Sequence, residues 1–189
     1  MAITMRPARP VTDEELLALS ELNPEYQFER SAAGELILTP TSARSGRREA
    51  NLISQLERWA QRGNHGAVFS PTTGFRLPMG EFYLPDAAWV RRERWDALPS
   101  DARDEFLYLC PDAAFEIRAK SSRLGDLRNK MRAYLANGAQ IAVLIDPYER
   151  TVEIYRPGRE PETHQEPDAL TLDPELQGFT LDLAPLFAE

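Results

Sequence analysis

Two carboxylates interrupt apolar, strand-like stretches of the chain: Asp86 in Tyr-Leu-Pro-Asp-Ala-Ala-Trp-Val and Glu116 in Asp-Ala-Ala-Phe-Glu-Ile-Arg. An ionised carboxylate left alone inside a sheet costs several kcal/mol even after its surroundings relax, so each needs a partner or a cation. A hard divalent metal is one such partner. Mg²⁺ prefers oxygen ligands, keeps several waters, and is commonly held by one or two carboxylates while a substrate phosphate completes the octahedron. Two carboxylates from adjacent strands meet that description. On spacing alone a purely structural reading stays open, in which Asp86 caps the turn after Pro85 and Glu116 pairs with Arg118, Lys120 or Lys130.

Other chemistries are poorly supplied. Cys110 is the single cysteine, which excludes an internal disulfide and a multi-cysteine zinc site. A cysteine nucleophile needs a histidine base, and both histidines, His65 and His164, fall in polar, turn-like sequence, so Cys110 reads as a core thiol. The 189 residues carry 22 Lys and Arg against 30 Asp and Glu, a net charge of −8, which opposes indiscriminate attraction to a nucleic-acid backbone. Polyanion binding then needs a local basic patch. Arg44, Arg47 and Arg48 form one candidate, and Arg118, Lys120, Arg123, Arg128, Lys130 and Arg132 another; each also reads as a solvated face.

The elements that must place the carboxylates follow from periodicity. Thr12 and Glu15 make a capping box at the start of a short helix over 11–22. Two strands, 26–30 and 35–39, are joined through Gly34 as a hairpin. Leu52, Ile53, Leu56, Trp59 and Ala60 recur at helical spacing from Arg44 to about Gln61, with Gly63 as the stop. Runs at 67–70, 74–77 and 82–90 read as a meander of short strands, followed by a helix over 91–98. In the strand 113–119, Phe115 and Ile117 face one side while Ala114, Glu116 and Arg118 face the other. A helix over 124–135, ended by Gly138, leads to the continuous apolar run Ile141–Ile145, and strand, helix, strand in that order implies a parallel crossover. Thr151–Tyr155 reads as a hairpin partner, 156–168 as a projecting hairpin or arm, and 179–183 as a late strand.

The ordered motifs carry more information than any one of them. A Pro-Asp, an acidic residue 30 positions on and a basic residue two further, Glu116-Ile117-Arg118, resembles the PD-(D/E)XK nuclease superfamily. The surrounding text is Ser70-Pro-Thr-Thr-Gly-Phe-Arg-Leu-Pro, Leu84-Pro-Asp-Ala-Ala-Trp-Val, Cys110-Pro-Asp-Ala-Ala-Phe-Glu-Ile-Arg, Asp126-Leu-Arg-Asn-Lys-Met-Arg-Ala-Tyr-Leu, Asn137-Gly-Ala-Gln and Leu144-Ile-Asp-Pro. In that order, from about Thr12 to Tyr155, it resembles the Uma family of restriction-endonuclease-like proteins.

The resemblance implies an α/β, restriction endonuclease-like fold: a mixed central β-sheet flanked by helices, with an N-terminal helix and β-hairpin. It also implies that Asp86 and Glu116 hold Mg²⁺ or Mn²⁺, that Lys130 on the following helix replaces the usual strand lysine, and that Arg118 at the strand position holds phosphate. Arginine there departs from the superfamily pattern, since its high pKa prevents it from acting as a base. Ser122 and Ser45 stand where family members often carry an acid and a histidine. Glu29, Glu35 and Glu49 are candidates for an additional acidic residue from the first part of the domain. Asp112 shares the Glu116 face by alternation but lies roughly 13 Å away along an extended strand, so it reads as a strand-start residue.

The expected function is metal-dependent hydrolysis of DNA phosphodiesters. The rival readings are a catalytically inactive nuclease fold serving as a binding or assembly module, and hydrolysis of another phosphate ester. A twofold homodimer is the default assembly. With 42% hydrophobic and 28% charged residues, the chain suits one globular domain over 1–189, with a core at about 12–155 and a C-terminal extension over 156–189. No stretch approaches the ~20 apolar residues of a membrane span. The amino terminus lacks a secretory apolar core, so a cytoplasmic location is expected.

Overall fold

A computed structural model describes residues 3–40, 42–104, 106–120 and 122–188. Strand β1 (Ile3–Met5) precedes helix α1 (Asp13–Leu22), which opens on a complete capping box: Glu15 N–H donates to Thr12 Oγ1 while the Glu15 carboxylate accepts from Thr12 N–H. Strands β2 (Tyr26–Arg30) and β3 (Leu36–Pro40) pair as the hairpin, with Gly34 at φ 76°. Helix α2 (Ala43–Gly63) follows, and its left-handed residue is Asn64 (φ 53°), one position beyond the expected glycine stop. Asparagine tolerates that conformation through local hydrogen bonding.

Strands β4 (Gly66–Phe69), β5 (Phe75–Arg76), β6 (Phe82–Tyr83) and β7 (Ala87–Arg91) come next, then helix α3 (Arg92–Asp96). These strands are not one meander. β4 pairs with β7, whereas β5 and β6 pair with each other and join the N-terminal strands in the order β1-β3-β2-β6-β5. The chain leaves one sheet for the other across Leu84, Pro85 and Asp86, where the proline has no N–H to continue a ladder. Asp86 therefore lies at the mouth of β7 rather than within a strand.

Strand β8 (Ala113–Ile117), helix α4 (Leu124–Ala136) and strand β9 (Ile141–Asp146) form the parallel crossover, in register from Ala113 opposite Ile141 to Ile117 opposite Ile145. Strands β10 (Thr151–Tyr155) and β11 (Glu162–Gln165) complete a six-stranded sheet ordered β11-β10-β9-β8-β7-β4. Only β8 and β9 are parallel, so the sheet is mixed, as expected. The segment expected to project as an arm instead supplies β11, the sheet's edge. Strands β12 (Ala169–Thr171) and β13 (Thr180–Asp182) pair with each other, and helix α5 (Ala184–Phe187) follows.

The alternation in β8 sorts its side chains between two cores. Phe115 and Ile117 pack with Leu52, Leu56 and Trp59 of α2, while Ala114 packs with Met131 and Tyr134 of α4. The C-terminal segment shares the α2 core through Leu172, Leu176, Phe179, Leu181 and Phe187. It also grips α2 by polar contacts, with Trp59 Nε1 donating to Gln177 O and Gln55 Nε2 to Asp182 O. Cys110 is buried, and burial pushes its thiol up to about 12, as suits an inert core residue. His65 stacks on Trp59 with ring centroids 4.5 Å apart. Among the described residues no helix is long and apolar enough to cross a membrane.

Candidate active site

Glu116 projects from β8 toward α4, and two residues one turn apart on that helix receive it. Lys130 Nζ stands 2.7 Å from Glu116 Oε1, and the Tyr134 hydroxyl donates to the same oxygen at 3.0 Å. Glu29, from β2 of the other sheet, accepts a hydrogen bond from Lys130 at 2.7 Å and another from Leu84 N–H at 2.6 Å. The ammonium also lies 5.2 Å from the Tyr83 ring centroid, within cation–π range. Glu29, Glu116, Lys130, Tyr83 and Tyr134 are all at most 9% exposed.

Asp86 approaches from the start of β7. Its Oδ2 accepts from Ile117 N–H at 2.6 Å, which ties it to the C-terminal end of the strand that carries Glu116. It is only half-buried. Among the described residues no donor reaches Asp86 Oδ1 or Glu116 Oε2.

The electrostatics record an excess of acid. Burial, then the charge of Glu49, pushes Asp86 up to about 7, against the opposing pull of Ile117 N–H and Lys130. Burial likewise raises Glu116; Lys130 opposes the rise, and Asp86 and Glu29 reinforce it. Glu49 on α2 is raised by burial and by Glu116. For Lys130, burial alone favours the neutral amine, yet Glu116 and Glu29 outweigh it and hold the ammonium well above the ordinary lysine range. One lysine thus pairs with two members of a cluster of four carboxylates, Glu29, Glu49, Asp86 and Glu116. Clustering of perturbed carboxylates around one cation is a common feature of functional sites.

The remaining sequence candidates separate cleanly. Glu29 and Glu49 both contribute to this cluster. Glu35 does not; it pairs with Arg6 at the N-terminal sheet. Arg118, expected to hold phosphate, is bound to Asp146 at 2.6 Å. Asp112 is 1% exposed and braces Arg91 at 2.7 Å and Arg94 at 3.0 Å, as befits a strand-start residue. Neither candidate basic patch is intact as a patch: Arg48 is buried and donates to Ala188 O, and Arg128 pairs with Glu153. Tyr83 and Tyr134 carry no site signal in the sequence, because on a helix or strand an aromatic reads as core.

The sequence profile described as "Uma2: Putative restriction endonuclease" matches residues 13–184. The chain belongs to the Uma2 family. A similar solved structure is that of a "putative nuclease belonging to DUF820 from Anabaena variabilis ATCC 29413"; it is 25% identical, with TM-score 0.77 over 94% of this chain and 98% of that one. No curated protein matches the chain. The Uma2 fold expected from the motifs, α/β and restriction endonuclease-like with a mixed sheet between helices, is the fold observed.

Proposed function

We propose that this Uma2 protein is an endonuclease that hydrolyses DNA phosphodiester bonds with the help of Mg²⁺ or Mn²⁺. The observation that carries the reading is the convergence of Asp86, Glu116 and Lys130 at one end of β8, with carboxylate in excess of cationic charge. The donor set fits a hard divalent ion. Among the described residues no group of three or more His, Cys, Asp or Glu is arranged to hold a metal, but Mg²⁺ is commonly served by two carboxylates, with waters and substrate phosphate as its other ligands.

Asp86 and Glu116 would hold the ion, each having a carboxylate oxygen that no donor reaches among the described residues. When bound, such an ion polarises a phosphoryl oxygen and lowers the pKa of water. Lys130 would supply a fixed positive charge beside the reacting phosphate, and its burial strengthens that charge's effect. It is held charged, so it acts as a donor and not as a base. Glu29 and the two tyrosines fix its position. Arg118 is paired with Asp146 at 2.6 Å, and the arrangement does not require it to hold phosphate. Cutting both strands would bring two copies together about a twofold axis.

Nicking of supercoiled plasmid by the purified protein tests the reading. Nicks should accumulate with Mg²⁺ or Mn²⁺ and stop on chelation by EDTA. A protein that leaves plasmid intact with either metal, or nicks equally in EDTA, contradicts it.

A further inference from the structure

The arginines of α2 are arranged in a way that its packing does not require. Arg44, Arg47, Asn51, Gln55, Arg58 and Arg62 recur every three or four residues, so at 100° per residue they share a sector of about 80° over a length of about 27 Å. This sector faces away from Leu52, Leu56, Trp59 and Ala60, which the helix buries, and all four arginines are exposed. The helix's two acids, Glu49 and Glu57, lie outside it.

Several other surface arginines are neutralised, Arg6 by Glu35, Arg9 by Glu15, Arg76 by Asp13 and Arg128 by Glu153; Arg103, Arg123, Arg132, Arg150 and Arg159 are also exposed without an acidic partner among the described residues, but they do not form a row along one helix face. Among the described residues Arg44, Arg47, Arg58 and Arg62 have no acidic partner. Their placement is unfavourable in itself. Arg58 and Arg62 repel each other at i,i+4. Arg44 and Arg47 sit in or next to a first turn that contains no acid, where the helix dipole disfavours cations. Although the chain carries a net charge of −8, none of its own acids pairs with this row among the described residues, and an external polyanion would neutralise it.

We infer that this face of α2 is a track for the phosphate backbone of duplex DNA. The identity of the polyanion rests on the nuclease reading. By the same spacing Glu49, the α2 acid that belongs to the carboxylate cluster, lies on the opposite side of the helix from the row, which begins near the N-terminal end of α2. At its far end Arg58 and Arg62 border an open groove completed by Phe179, Thr180 and Asp182 of the C-terminal hairpin. Arg48 is outside the track, since it is buried against Ala188.

The test is fluorescence anisotropy with a labelled duplex of about 20 bp, in EDTA, between about 50 and 200 mM salt. Arg58→Ala/Arg62→Ala should bind about tenfold or more weakly, and its log K against log salt slope should be shallower by about two, near 0.9 for each phosphate that the helix no longer neutralises. Arg6→Ala/Arg9→Ala removes the same charge elsewhere and should retain the wild-type slope; circular dichroism melts confirm that each variant is folded. Wild-type affinity and slope in the α2 variant, an equal loss in the control, or no duplex binding by the wild type overturns the inference. Nicking is scored separately. Binding that depends on α2 in a protein that cuts nothing keeps the track and removes the nuclease, whereas cutting with binding indifferent to α2 does the reverse.

Discussion

Plasmid nicking by Asp86→Ala should fall about a thousandfold or more while the protein remains folded. Stabilisation of the transition state by a metal ion is worth several kcal/mol, and each ~1.4 kcal/mol is a factor of ten in rate. Loss of one of two ligands removes most of that. Folding should not suffer, because Asp86 is a strained charge in the metal-free protein. Its pKa rises from 3.8 to about 7 on folding, so between those values the native state holds a proton that the unfolded chain releases, and stability falls as pH rises through that window. Above about pH 7 the whole penalty is present. In EDTA, Asp86→Asn should therefore melt several degrees above wild type at pH 8, with the advantage fading toward pH 4. Nicking at the wild-type rate by Asp86→Ala, or a lower melting point for Asp86→Asn at pH 8, contradicts the assignment.

Lys130→Met should be the most destabilising single change at the site. The substitution keeps length and apolar bulk but strands Glu29 and Glu116, each less than 10% exposed, without their shared cation. Removing one member of a buried ion pair typically costs about 3–5 kcal/mol, or roughly 10 °C in melting temperature for a chain of this size. The cost should shrink toward acid pH, where Glu116, whose pKa burial raises, takes up a proton and no longer needs the ammonium. Adding Glu29→Gln should recover part of the loss, since Glu29 and Lys130 share a hydrogen bond of 2.7 Å and their effects cannot be additive. Thermal melts at pH 8 decide the matter; a Lys130→Met protein as stable as wild type means that the ammonium does not hold this cluster together.

Most of the architecture is legible in the sequence because period and punctuation agree. The crossover β8-α4-β9, the α2 stripe and the Thr12 capping box each combine a hydrophobic repeat with a stop or start residue, and each is found where expected. What escapes the sequence is pairing at long range. Residues 67–90 contain the expected extended runs, but nothing local says that β5 and β6 join strands 50 residues earlier while β4 and β7 join the central sheet. The same limit hides the role of β11, whose polar, exposed sequence has the look of a free arm.

The site divides in the same way. Asp86 and Glu116 are visible in sequence because a carboxylate in an apolar run calls for an explanation. Lys130 is an ordinary helix lysine until the family motif singles it out. Glu29 cannot be separated from Glu35 and Glu49 by sequence, as the choice depends on how the N-terminal hairpin meets the central sheet through Leu84. For Arg118 alternation gives the face its side chain takes but not its partner, which is Asp146 of the neighbouring strand.

The account stands on Asp86 and Glu116 gripping one divalent ion together. Titration calorimetry with Mn²⁺ measures this directly. One ion should bind per chain in the wild type, and that event should be absent from both Asp86→Asn and Glu116→Gln. No binding by the wild type at millimolar Mn²⁺, or unchanged binding in either variant, contradicts it.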